Sequence, residues 1–265
     1  MRVITQNLLG FHEDWPRRRQ VLADGLRWLR PDVVLCQEAV VDDGYDMVTD
    51  LFGEDFQVAH HPLRESDGSG ISVASRWPIR VVRELDLQMG ARTADFCASA
   101  QLVDVQWPDR ETPLLLVNHK PSYKTELEYE RERQAVLTAR AVEEIVEGTD
   151  RHVVLGGDFD AMPEAASVRF WRGLQSLEGM SVAYRDVWEL ARGGEPGVTF
   201  GPSITPLVTP RWKFDLDRRI DYLMIRCTGG GGPSLRVNHC ARTFTTPVGG
   251  VWGSDHLGLV ADLDV

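Results

Sequence analysis

The chain is poor in cysteine, carries no excess of basic charge and contains no long apolar run. Each absence narrows the field. Four cysteines occur in 265 residues, Cys36, Cys97, Cys227 and Cys240, and their spacing fits no zinc site. They are expected to be reduced, with a Cys227–Cys240 disulfide as the alternative. Lysine and arginine number 29 against 40 acids, a net charge of −11. A general grip on a polyphosphate backbone needs a basic face, so a long nucleic-acid substrate is disfavoured, although acids clustered at a metal site would account for part of the total. No stretch approaches the length of a membrane span, and no basic segment followed by an apolar one marks a signal peptide. A cytoplasmic protein is expected. Low-complexity tracts and internal repeats are absent, and nothing in the sequence sets an oligomeric state.

What the chain does contain is a set of apolar, strand-like runs that each end in, or enclose, a polar residue able to do chemistry. Val3-Ile4-Thr5 leads to Asn7, Val33-Val34-Leu35-Cys36 to Gln37-Glu38, and Leu114-Leu115-Leu116-Val117 to Asn118-His119. Val153-Val154-Leu155 runs into Gly156-Gly157-Asp158, Ile220 and Tyr222 flank Asp221, and Ser254-Asp255-His256 precedes Leu257-Gly258-Leu259-Val260. A carboxylate at a strand end costs desolvation unless a metal or a donor compensates. Several at once suggest a metal-assisted hydrolase. The pattern recurs from residue 7 to residue 256, which points to one site drawing on the whole chain and to a single domain over residues 1–265.

Periodicity predicts a helix over Arg17 to Leu29, stopped by Pro31, and a longer one from Glu126 to Glu147 closed by Gly148. Met47 to Phe52 reads as a short helix, and Pro163 as the first turn of another reaching Trp171. Strands are expected at 33–36, 70–75, 98–105, 114–118, 153–155, 220–225, 235–239 and 257–263, with 98–105 and 114–118 forming a hairpin across Trp107-Pro108-Asp109. Residues 191–218, rich in Gly, Pro and Thr, read as a long loop of the kind that often carries function. Strands alternating with few helices predict an α/β sandwich, two packed sheets with helices outside.

Glu38, after a wholly apolar strand, is a hard oxygen ligand suited to Mg²⁺ or Mn²⁺, and the Asn7 amide oxygen could join it. Glycines before Asp158 let the backbone turn tightly and carry the acid toward a pocket. Asp160 lies two residues on, on the same side of an extended segment. The Asp255-His256 pair suits a metal and a protonatable group near one phosphate, and His119 could donate to a phosphoryl oxygen.

Together, Thr5-Gln6-Asn7-Leu8, Gln37-Glu38, Asn118-His119, Gly156-Gly157-Asp158-Phe159-Asp160, Arg219-Ile220-Asp221-Tyr222 and Ser254-Asp255-His256 resemble the motifs of the endonuclease/exonuclease/phosphatase superfamily. That fold also serves pancreatic-type deoxyribonucleases, apurinic endonucleases, neutral sphingomyelinases and inositol-polyphosphate 5-phosphatases. The resemblance implies a four-layer α/β sandwich, two packed mixed β-sheets flanked by helices, and divalent-metal phosphoester hydrolysis. It implies that Glu38 is the principal metal ligand, with Asn7 and Asp255 near it. His256 would be the catalytic histidine, oriented by Asp221. Asp158 would position or deprotonate the attacking water, and His119 would bind the scissile phosphate. Two departures stand out. The family usually has Asn where this chain has Asp160, which accepts hydrogen bonds but cannot donate them when ionised. Leu9 stands where some nuclease members carry an acid.

Lys120, Tyr123 and Arg92 are further candidates for substrate phosphate, and Trp212, Lys213 and Phe214 for stacking on a ring. The expected activity is hydrolysis of a phosphodiester or phosphomonoester by in-line attack of water, on a small or compact ester. The alternatives are a DNA or RNA nuclease and, less favoured, a non-catalytic binding module on the same fold.

Overall fold

The computed structural model describes residues 1–108, 110–208 and 216–265. Asp109 of the expected hairpin turn, and Trp212, Lys213 and Phe214, lie outside the described residues.

Among the described residues, twelve strands form two six-stranded sheets. The first sheet contains β1 (Arg2–Asn7), β2 (Val33–Val40), β3 (Gln57–His60), β4 (Ser69–Ser75), β11 (Arg236–Arg242) and β12 (Leu259–Asp264), in the order β11-β12-β1-β2-β4-β3. The second contains β5 (Ile79–Asp86), β6 (Ser99–Val105), β7 (Leu114–Lys120), β8 (Val153–Asp158), β9 (Tyr184–Asp186) and β10 (Asp221–Arg226), in the order β5-β6-β7-β8-β10-β9. Both are mixed: β1 runs parallel to β2 and antiparallel to β12, and β8 runs parallel to β7 and antiparallel to β10.

The layers follow from which faces are apolar. Between the sheets lie Val3, Val33, Leu35 and Leu259 of the first and Val103, Leu116, Val154 and Leu223 of the second, all with no exposed surface. Helices α1 (Trp15–Leu29) and α2 (Met47–Phe52) cover the outer face of the first sheet through Leu22, Leu26 and Met47. The outer face of the second is covered by α3 (Glu128–Val146) and α4 (Ala166–Trp171) through Ala135, Val142 and Trp171. A short helix, α5 (Val187–Arg192), packs Val187 and Trp188 into the layer between the sheets.

Most expected elements are present with shifted ends. Helix α1 begins two residues earlier, because Pro16 occupies the first turn, where its missing N–H is not needed. Helix α4 begins at Ala166 and not at Pro163, since a turn closed by Ala165 N–H on Met162 O comes first. Strands β3, β5 and β9 and helix α5 were not expected. The β5 segment alternates charged and apolar residues at a sheet edge and is half-exposed along its length. All four cysteines are free, so the Cys227–Cys240 disulfide is not formed. Among the described residues no helix is long and apolar enough to cross a membrane.

Polar side chains tie the sheets together beneath the strand ends. Asn118 donates to Cys36 O and Ser72 O, both at 3.0 Å, and accepts from Gln37 Nε2 at 2.8 Å. Gln37 also meets Thr5 Oγ1 at 3.2 Å. A buried amide satisfied on both ends stabilises one arrangement of the sheets. Within the first sheet, Gln6 ties β1 to the segments flanking β11 and β12, donating to His256 O and accepting from Thr243 Oγ1. Several of the polar strand-end residues thus form the floor of the site.

Candidate active site

The same ends of β1, β2, β7, β8 and β10 bring together Asn7, Glu38, Lys120, Asp158 and Asp221, and the turn before β12 adds Asp255 and His256. Two local features aim these groups. Glu38 sits in a β-bulge, where the β2–β4 register shifts between Cys36 and Ala39. Its backbone is left-handed, with φ of 51°. Bulges and non-glycine residues held at positive φ recur where a side chain must be re-aimed. Asp160, also at φ 51°, turns back so that its N–H donates to Asp158 Oδ1 at 3.1 Å.

Asp158 is fully buried and lies directly opposite Asp221 in the β8–β10 pairing. Its Oδ2 accepts from Lys120 Nζ at 2.6 Å and from Asn7 Nδ2 at 3.0 Å, and lies 3.9 Å from His256 Nε2. Burial alone would raise this carboxyl, but Lys120 and His256 outweigh it and hold it down at about 2. His256 Nδ1 is 3.0 Å from Asp221 Oδ2. Burial disfavours its protonated ring, yet Asp221 and Asp158 more than compensate and raise its pKa well above the usual value. The other Asp221 oxygen is buried with no hydrogen-bond partner among the described residues, so His256 is the main compensation for that acid among them. Asp158, Asp221 and His256 place ligand atoms within 4.8 Å of one another. The 3.0 Å contact of His256 Nδ1 with Asp221, and the 3.9 Å approach of Nε2 to Asp158, make this trio a chain of polar contacts.

Glu38 and Asp255 are different. Among the described residues neither has an ion-pair partner: Glu38 Oε1 accepts from Asn7 Nδ2 at 2.8 Å, and Asp255 meets only Ser254 Oγ, at 3.4 Å. Burial, then the negative charges of Glu38 and Asp158, push Asp255 up to about 6 against the pull of His256. Two oxygen donors short of positive charge fit a hard divalent cation. Asn7 differs from expectation. Its amide oxygen accepts from Leu9 N–H at 2.9 Å while its nitrogen faces Glu38 and Asp158. It bridges two carboxylates as a donor and does not offer an oxygen to an ion.

His119 is corrected outright. Alternation along β7 puts Asn118 and Lys120 on the inner side and His119 on the outer one. Its ring lies edge-on to Phe159 and Trp171, with Nδ1 3.2 Å from Thr138 Oγ1 of α3. Lys120 reaches the carboxylates in its place, meeting both Asp158 and Asp160. This ion pair accounts for the Asp160 departure: the extra acid faces an ammonium. Burial, and then Asp158, push Asp160 up to about 6 against that cation.

The His119 position yields a prediction. Desolvation lowers its pKa from 6.5 to about 3, so the unfolded chain binds a proton below pH 6.5 that the folded one refuses. Its contribution is intact above pH 6.5 and shrinks as pH falls through 6.5 toward 3, by about 2 kcal/mol at pH 5. Urea midpoints at pH 7.5 and pH 5 should therefore fall further for the wild type than for His119→Phe. Equal falls would contradict the assignment.

Arg92 is engaged with α3 and the turn before it, pairing with Glu130 at 2.8 Å and donating to Glu126 O. Tyr123 packs edge-on against Phe96, one ring removed from Lys120. Neither is placed at the carboxylates. A cavity opens beside Glu38 and Lys120, walled by Glu65, Ile71, Phe96 and Cys97. Arg18 was not expected at all. Its buried guanidinium donates to the carbonyls of Leu8, Leu9, Gly10, His12 and Gly253. It thereby ties the loop after β1 to the turn that carries Asp255. The one sequence signal was an arginine four residues before Leu22, on the apolar face of α1.

A family model described as Endonuclease/Exonuclease/phosphatase family matches residues 4–256. No curated protein matches the sequence. Similar solved structures include D. rerio TDP2 complexed with single strand DNA product, at 19% identity and a TM-score of 0.76, covering 100% of this chain and 99% of that one. Truncated Caenorhabditis elegans TDP2 is similar at 16% identity and a TM-score of 0.76, covering 100% and 97%. The human Nocturnin catalytic domain with bound sulfate is similar at 18% identity and a TM-score of 0.70, covering 100% and 94%. At these identities the likeness to solved structures is one of fold.

Proposed function

The chain belongs to the endonuclease/exonuclease/phosphatase family, and on that premise we propose that it is a Mg²⁺- or Mn²⁺-dependent phosphoesterase acting on a small or compact phosphate ester. The observation that carries the reading is the Asp221–His256–Asp158 chain beside two carboxylates, Glu38 and Asp255, that have no cationic partner among the described residues.

Glu38 and Asp255 would hold the cation, which when bound supplies positive charge to the phosphoryl oxygens and acidifies water. Asn7 holds Glu38 and Asp158 in register. Asp221 fixes the His256 ring through Nδ1, so that Nε2–H is the edge left for a phosphoryl oxygen. A charged donor placed there stabilises the negative charge that grows as the bond to the leaving group breaks. Asp158, ionised and held from three sides, accepts a hydrogen bond from the attacking water and orients it.

The net charge of −11 and the acid Glu65 in the cavity wall favour a compact ester over a polyanion. The nuclease reading draws its support from the D. rerio TDP2 structure, which is complexed with single strand DNA product. The two readings separate on a panel of single- and double-stranded DNA, RNA, nucleotides, sugar phosphates and a generic phosphodiester, each with Mg²⁺, Mn²⁺ or chelator. The expected result is turnover of small esters that chelator abolishes. Turnover confined to polynucleotides and falling steeply with salt would transfer the assignment to a nuclease. Absence of turnover anywhere would leave the binding module.

A further inference from the structure

Little holds the Glu38 carboxylate directly. Among the described residues it accepts one hydrogen bond, from Asn7 Nδ2 at 2.8 Å, so its aim is set by the backbone that carries it. That backbone is irregular. Cys36 pairs with Ser72 and Ala39 with Gly70, so Gln37 and Glu38 together oppose Ile71 alone. A bulge of this kind breaks the ladder and leaves main-chain groups that need other partners. On the β1 side, the carbonyls of Gln37 and Glu38 accept from Leu8 N–H and Gly10 N–H, at 2.8 and 3.0 Å. On the β4 side, a single side chain does the work: Arg64, from the connection between β3 and β4. Its Nη1 donates to Ala39 O at 2.7 Å and Gly68 O at 2.9 Å, and its Nη2 to Ile71 O at 3.3 Å and Ser72 Oγ at 2.9 Å. All four terminal N–H groups of the guanidinium are thereby engaged across the bulge. Gly70 makes room for the stem, since a Cβ there would stand 3.0 Å from Arg64 Cγ. Every one of these acceptors is uncharged, although burial disfavours the guanidinium charge. An arginine present only to balance charge would be set against a carboxylate.

We propose that Arg64 is the positioning residue for Glu38: it bridges β2 and β4 at the bulge and so fixes the left-handed backbone that presents this carboxylate to a divalent cation. The inference rests on the reading of Glu38 as a ligand of that cation, and adds the residue that keeps the ligand in place. A non-glycine residue stays at positive φ only where its surroundings hold it there, and Ala39, whose carbonyl Arg64 takes, is the next residue in the chain. Arginine suits the task because its planar fork reaches acceptors on two strands at once, which the point charge of a lysine does not. Groups that orient a metal ligand without touching the ion govern how tightly the ion is held.

The test is direct binding of Mn²⁺, read from the electron paramagnetic resonance signal of the free ion as protein is added, with no substrate present. The wild type should bind, and Glu38→Gln should bind far more weakly. Arg64→Met should lose affinity about 10–100-fold. Arg64→Lys, which keeps the charge and loses the fork, should fall nearly as far. Gly70→Ala crowds the arginine stem while keeping every donor, and should weaken binding in the same direction; it carries the test if Arg64→Met does not fold. Circular dichroism and urea midpoints accompany each titration. An arginine with a merely structural role would lower the midpoints and leave the Mn²⁺ affinity of the folded protein unchanged, which overturns the proposal. Arg64→Lys binding as the wild type does would overturn it too, because charge and not the bridge would then be what matters. If Glu38→Gln binds like the wild type, the cation is held elsewhere, and both the ligand reading and this proposal fall. If Glu38→Gln loses affinity and the Arg64 variants do not, this proposal alone falls. Loss in both, without ester turnover by the wild type, leaves the role of Arg64 standing and removes the phosphoesterase.

Discussion

Replacing His256 with alanine lowers kcat for metal-dependent ester hydrolysis about 10²–10⁴-fold, the usual range for a group that donates to the reacting phosphate in the transition state. His119→Phe, by contrast, keeps most of the wild-type rate. The two histidines differ in what surrounds them. His256 stands between two carboxylates, 3.0 Å from Asp221 and 3.9 Å from Asp158, which favour its protonated ring. His119 is wrapped by Phe159, Trp171 and α3 and is held neutral. In the proposed mechanism the charge of His256 acts when the leaving bond is breaking, so the loss should fall on kcat and leave KM nearly unchanged. The comparison is read from steady-state kinetics on whichever panel member turns over, with circular dichroism to verify that both variants fold. A His256→Ala enzyme retaining more than about a tenth of the wild-type kcat would take that ring out of the chemistry.

Gly157→Ala destabilises the protein by about 2–6 kcal/mol. The residue has φ of +144°, and a Cβ built there stands 2.1 Å from the carbonyl oxygen of His119. Neither strain can relax cheaply. The obstructing atom is backbone in the neighbouring strand, and β7 is held on its other edge by β6 through seven paired residues. A forbidden backbone conformation costs about 1–3 kcal/mol, and overpacking in a close-packed interior costs about as much again. The sum is a large share of the roughly 5–15 kcal/mol that holds a domain folded. The pairing of β7 with β8 sets Lys120 beside Asp158, so a variant that survives should also lose activity. Urea denaturation followed by tryptophan fluorescence reads the effect. A midpoint close to that of the wild type would mean that β8 can shift away from β7, and that the close approach is not required.

Much of this arrangement could be read from the residues because an apolar strand that ends in an acid is costly to bury for the sake of packing alone. The sandwich, the bulk of its strands, and the meeting of Glu38, Asp158, Asp221, Asp255 and His256 at one end of the sheets all follow that pattern. What escaped depended on a single residue of register. Asn118 and His119 were both plausible as inward-facing polar groups, and strand alternation allows only one of them. Taking Asn118 as inward would have sent His119 outward and named Lys120 as its partner in the site. The Asp160 departure was legible as an anomaly but not as a pair, since its cation lies 40 residues away in sequence. The orientation of the Asn7 amide depends on which neighbours it meets, and residue types alone do not contain that. Arg18 escaped because a buried arginine is defined by carbonyls, which every residue carries.

The Arg18 clamp has a consequence for how the protein is made. It joins carbonyls near residue 10 to that of Gly253, and β1 takes β12 as one of its two neighbours. Strand β1 can pair with β2 soon after both leave the ribosome. Gly253, however, is synthesised 235 residues after Arg18, and the turn bearing Asp255 and His256 follows it. Until that turn arrives, Arg18 has only the acceptors on its own side, and the acids from β2 and β8 have no histidine beside them. The site is therefore incomplete in the nascent chain until Asp255 and His256 have been made, and only then can the two sides of the clamp close on each other.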